Sequence, residues 1–125
     1  PEASVARGIV AAARQLNERL REAGPEDAGG WELAGPCGLV VGATVGAALT
    51  RLGIDLADFP GPILAPGYGA QGATEEDLAR VFAGASQRLV VSSSRAILRH
   101  GPRAEELREE ILRTNRRLIA GLAGS

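Results

Sequence analysis

The sequence contains no lysine: all fourteen basic residues are arginine. Chemistry that needs a lysine amine therefore cannot be done by this chain alone. Cysteine is almost missing as well. The single Cys37 excludes an internal disulfide and fits a reducing, cytoplasmic setting, and a small buried residue is its expected role. No run of about eighteen apolar residues occurs, and the opening PEASVARGIV lacks a basic stretch followed by an apolar one. Neither a membrane span nor a secretory leader is expected. A basic excess is lacking too: the formal net charge is −1, which gives no support to a nucleic-acid surface and requires any anion site to be local. No metal-ligand cluster and no Ser/His/Asp arrangement can be read from the residues.

What is present suits one core. With 125 residues and 45% hydrophobic content, the chain is one domain or part of one. Over residues 2–23, Val5, Ile9, Ala12, Leu16 and Leu20 recur at helical spacing with Arg14, Asn17, Glu18 and Arg21 between them, which predicts an amphipathic helix. The helix stops at Gly24-Pro25. The Gly/Pro-rich, acidic PEDAGGWELAGP that follows reads as a surface loop, with Trp31 as its packing anchor. Three short apolar runs come next: GLVVG at 38–42, PILA at 62–65 and RLVVS at 88–92. Each is continuous rather than alternating, the pattern of a parallel strand buried on both faces.

Helical patterns fill the gaps, at about 45–52 and 74–83, the second opened by Thr74 and Asp77 in capping-box spacing. A last amphipathic helix at 104–122 places Leu107, Ile111, Leu118 and Leu122 on one face and Arg108, Glu109, Arg113 and Arg116 in solvent. The strand starts lie about 25 residues apart, the repeat of a β/α unit in an eight-fold barrel of about 250 residues. The fold class is thus α/β, and residues 1–125 read as about half of a (β/α)8 barrel. Three parallel strands alone leave two open edges and an uncovered inner face, so the remaining strands are expected from a partner or from a longer chain.

In such a sheet the ligand end is the C-terminal edge of the strands, which selects the loops GAT at 42–44, PGYGAQG at 66–72 and SSR at 93–95. The second contains GYGAQG, a literal GxGxxG placed after a strand and before a helix. It lacks the acidic residue that a dinucleotide fingerprint puts at the end of the next strand, which here reads VVSSSR. A single phosphate uses more of the same letters. Glycines let the backbone approach an oxyanion, Gln71 offers an amide donor, and Arg95 offers a two-pronged guanidinium, with a short helix starting near Ser94. A loop glutamine satisfying its own backbone, and a surface ion pair for Arg95, fit these letters as well. His100 reads as an exposed or capping residue, and Asp55 and Asp58 lie in a connection at the far end of the strands.

VVGAT at 40–44, PILAPGYGAQG at 62–72 and SSSRAILRHGP at 92–102 together resemble the C-terminal part of orotidine 5'-phosphate decarboxylases of the longer-chain bacterial branch. The resemblance implies a (β/α)8 barrel, usually a homodimer, that converts orotidine monophosphate to uridine monophosphate with no metal or organic cofactor. It places this chain from helix 5 to helix 8, with strands 6–8. By motif, Gln71 and Arg95 are similar to the family's phosphate-gripping pair, Ser94 or Arg95 adds a backbone donor, and Pro66 is similar to a proline beside the pyrimidine. The family's catalytic lysines and aspartates, on strand 2 and in a DxKxxD motif on strand 3, have no counterpart here. The catalytic residues are therefore expected in a preceding N-terminal half of the same barrel. Another sugar-phosphate or indole-phosphate barrel, and a non-catalytic nucleotide-binding half-barrel, remain alternative readings.

Overall fold

The computed structural model describes residues 4–23, 35–69 and 72–123. Trp31, most of its loop, and Gln71 lie outside the described residues. Helix α1 (Val5–Ala23) leads to strand β1 (Leu39–Val40), then to helix α2 (Gly46–Leu52) and strand β2 (Ile63–Pro66). Helix α3 (Glu75–Val81), strand β3 (Leu89–Ser92), a short helix α4 (Ser94–Leu98) and the long helix α5 (Ala104–Leu122) follow. The three strands form one parallel sheet in the order β1-β2-β3, with α2 and α3 as the crossovers. A parallel pair needs such a crossover, because its strands must both start at the same edge.

Local sequence explains the punctuation. Thr74 accepts from the Asp77 backbone N–H while the Asp77 carboxylate accepts from that of Thr74, so α3 opens on the expected capping box. Helix α2 ends at Gly53, whose φ of 61° a side chain would strain. The core lies between the sheet and its helices. Phe59, Ile63, Leu78 and Phe82 are wholly buried there, with Leu49, Leu118 and Leu122 packed around them.

Two expectations from periodicity are corrected. The strands are not buried on both faces: Leu39, Ile63, Ala65, Leu89 and Val91 face the helices, but Val40, Leu64 and Val90 are 71%, 39% and 54% exposed. Register aligns those three in one row, so the far face of the sheet is a bare apolar strip. Helix α1 also turns a different side inward. Ala13 and Asn17 are buried and Val10 packs on the core, while Val5, Ile9, Leu16 and Leu20 face outward. On α5, Ile111 joins Leu112 and Ile119 on an exposed apolar stripe, while Leu118 and Leu122 face the core and Arg108, Glu109, Arg113 and Arg116 are exposed as expected.

Asn17 turns inward because the lead into β1 needs it. Its Nδ2 donates to the Cys37 carbonyl and its Oδ1 accepts from the Cys37 N–H, both at 2.8 Å, closing a two-bond ring between α1 and that segment. Gly35 and Gly61 crowd the amide so closely that a Cβ on either would overlap its neighbours. In the complete chain, Asn17→Ala leaves both Cys37 backbone groups unpaired and is expected to cost about 2–4 kcal/mol. Urea unfolding measures this, and a loss below about 1 kcal/mol would contradict the role given to Asn17.

Candidate functional site

The parallel register sets the site. Pro66, the last residue of β2, pairs with Ser92, the last of β3, so the loops that follow leave the sheet level with each other. The loop after β1 joins them through the Ala43 N–H, which donates to the Pro66 carbonyl at 2.9 Å. All three loops chosen from sequence therefore meet at one edge. Pro66 itself is half-buried at the head of the second.

That second loop turns on glycine. Gly67, Gly69 and Gly72 have φ of 102°, 71° and 87°, values that side chains rarely adopt. Its base is closed by a bridge between Tyr68 and Ala73 and by the Gly69 N–H donating to the Ala73 carbonyl at 3.1 Å. The loop also abuts the one after β3: a Cβ on Gly69 would stand 3.5 Å from the Ala96 Cβ and 3.8 Å from Ser93 Oγ. Ser94 and Arg95 are exposed on that neighbour. Among the described residues the Arg95 guanidinium has no hydrogen bond and no ion pair, so the surface-pair reading of Arg95 finds no carboxylate. Ser93 is buried at the start of α4 without capping it, and among the described residues its Oγ has no partner.

Behind the two loops lies a cleft of about 250 Å³, bounded by Tyr68, Ser93, Arg99, Glu110, Thr114 and Arg117 among others. Sequence reading missed its polar network. The Tyr68 hydroxyl donates to Glu75 Oε1 at 2.7 Å, and Arg117 Nε approaches the same oxygen at 2.7 Å. Glu75 sits in the first turn of α3 and Arg117 on α5, and α5 can come this close because position 121 is glycine: a Cβ there would be 2.7 Å from that of Glu75. Glu110 pairs with Arg113 at 2.6 Å and accepts from Thr114, with His100 3.8 Å away and exposed as expected. A tyrosine set between glycines was the available signal for the first link. Nothing local announces its partner on α5.

Burial, reinforced by the Glu75 carboxylate, pushes the Tyr68 phenol up to about 12 from an ordinary 10.0. Burial opposes ionisation of Glu75, but hydrogen bonds from Tyr68, its own backbone and Arg117 outweigh it and hold the carboxyl below its ordinary 4.5. A raised phenol stabilises the fold fully below the unfolded pKa and loses this as pH rises toward the folded value. A depressed carboxyl stabilises fully above its unfolded pKa and loses this as pH falls. The stability gap between the wild-type chain and Tyr68→Phe should thus be level from roughly pH 5 to 10 and narrow on either side. Urea titrations across that range test it; a gap that slopes near neutrality would contradict the pairing.

No protein-family model matches the chain. It is 51% identical over 80 residues to orotidine 5'-phosphate decarboxylase of Streptomyces coelicolor, a match covering 63% of this chain and 27% of the relative. The enzyme of the same name from Salinispora arenicola is 45% identical over 91 residues, covering 73% of this chain and 31% of the relative. This chain thus spans less than a third of these relatives' length. A solved structure from Streptomyces avermitilis, provisionally described as an orotidine 5'-phosphate decarboxylase, superposes with a TM-score of 0.74 at 40% identity, over 96% of this chain and 37% of that one. Over the matched residues, then, the chain is homologous to a part of the orotidine 5'-phosphate decarboxylases, and its three parallel strands with their helices have the fold of part of a (β/α)8 barrel.

Proposed function

We propose that this chain is the C-terminal, phosphate-binding part of an enzyme that decarboxylates orotidine 5'-monophosphate to uridine 5'-monophosphate. On this reading residues 1–125 form helix 5 to helix 8 of a single barrel, and an N-terminal part supplies the catalytic lysines and aspartates. The observation that carries it is the meeting of the Gly67–Gly72 turn with the loop after β3, at Gly69, beside Arg95, which is exposed and has no ion pair among the described residues. A guanidinium with no carboxylate partner among the described residues, next to a glycine turn at the C-terminal edge of a parallel sheet, suits a phosphate dianion. The names of the homologues support the nucleotide.

Three bare apolar surfaces support the missing barrel part: the strip Val40, Leu64 and Val90, the outer stripe of α1, and that of α5. Exposed apolar area on this scale is what a larger core would cover. In division of labour, Gln71 and Arg95 grip the phosphate, Ser94 adds a backbone donor, and Pro66 borders the base. None of them touches the reacting carbon. Binding energy from the remote phosphate is realised as orientation of the base where the carboxylate leaves. No cofactor is required, and the homodimer and cytoplasmic setting are carried over from the family resemblance and from the lone Cys37.

In the complete chain, Arg95→Ala is expected to raise KM for orotidine monophosphate and to lower kcat/KM by at least about 10-fold, the loss of one charge-assisted hydrogen bond. Steady-state kinetics reads this directly. Near-normal constants in that variant would remove the main support for the phosphate reading. The residues that precede this segment are expected to carry a DxKxxD motif.

A further inference from the structure

We propose that Tyr68 is a positioning residue for substrate phosphate, holding the Gly67–Gly72 loop against the C-terminal helix α5 through Glu75 and Arg117. The inference rests on the phosphate reading above and adds residues that do not touch the ligand. The loop carries three glycines in six positions, so its backbone is intrinsically free to take many shapes. Any ordering left to the moment of binding subtracts from affinity. Something in the folded chain must hold it beforehand.

Tyr68 is the described loop residue able to do so. Its ring is buried in the core cluster while its neighbours Gly67 and Gly69 carry no side chain. Packing holds only the ring, and the hydroxyl adds a second tie, to Glu75 Oε1 at 2.7 Å. That oxygen is also held by Arg117 at 2.7 Å, so the chain of contacts runs from the loop, through the first turn of α3, to a helix from the far end of the sequence. Gly69, next to the tyrosine, is the residue that abuts the Arg95-bearing loop. Rotation of Tyr68 away from Glu75 would shift Gly69 relative to Ser93 and Ala96, and with it the spacing of the two loops.

The test compares uridine monophosphate with uridine as binding probes in the complete chain, by calorimetry. Tyr68→Phe is expected to weaken the monophosphate by roughly tenfold, the scale of one hydrogen bond to a charged group, and to leave uridine within about twofold. Equal weakening of both probes, or no weakening of the monophosphate, would overturn the inference, since a merely structural role gives no preference for the phosphate. Should Tyr68→Phe fold poorly, Glu75→Gln against Glu75→Ala decides. Glutamine keeps an acceptor for Tyr68 and should recover most of the monophosphate affinity that alanine loses; equal affinities overturn the inference. Arg95→Ala, run in parallel, separates the two ideas. If it loses monophosphate affinity and Tyr68→Phe does not, only the positioning role falls. If Arg95→Ala binds monophosphate normally, the phosphate reading falls and the inference with it.

Discussion

The parallel register between β2 and β3 is the constraint on which the rest depends. Because Pro66 lies opposite Ser92, two segments separated by a whole βα unit deliver their loops to the same height at the same edge. A slip of one residue would turn Ile63 and Ala65 out of the core and put Leu64 and Pro66 in their place. The glycine turn and the arginine loop would then no longer adjoin. Register is held by burial, since Ile63, Ala65, Phe59, Phe82 and Leu78 fill one side of the sheet with almost no exposure. The candidate anion site is thus an outcome of core packing, even though none of its described residues, Pro66, Ser94 and Arg95, is part of the core.

Much of this was legible in the sequence, for identifiable reasons. The capping box at Thr74 and Asp77 is a local signal, and the helix it opens starts where expected. The three apolar runs do form parallel strands in sequence order. The choice of buried face failed where the decision was not local. On α1 the apolar residues at helical spacing face outward, because Asn17 must reach the Cys37 backbone and a buried amide with both groups satisfied outweighs the apolar alternative. Periodicity finds a stripe but does not say which way it faces.

The site divides in the same way. Arg95 was chosen because strand ends and the loops after them can be read from spacing, whereas Pro66 and the Ser94 donor came from the family resemblance; all three lie at one edge of the sheet. Gln71 lies outside the described residues. The supporting network was not legible: Glu75 looks like any acidic residue at a helix start, and Arg117 like any arginine on a solvated face, until tertiary packing brings both to Tyr68. The unpartnered hydroxyl of Ser93 is equally invisible in sequence, where a serine before a short helix reads as its cap.

Gly121 shows how local and global fitness part company in this chain. Judged as one position of an isolated helix, glycine is a defect, and replacing it with alanine would be a routine gain of about 0.5–1 kcal/mol. Here the missing methyl is the space into which the backbone and side chain of Glu75 fit, and a Cβ would lie 2.7 Å from another Cβ. A stabilisation scheme guided by helix propensity would therefore select, at this position, the change that pries α5 from α3 and unseats the acceptor of Tyr68. The weak point of the last helix is the keyhole through which it grips the loop.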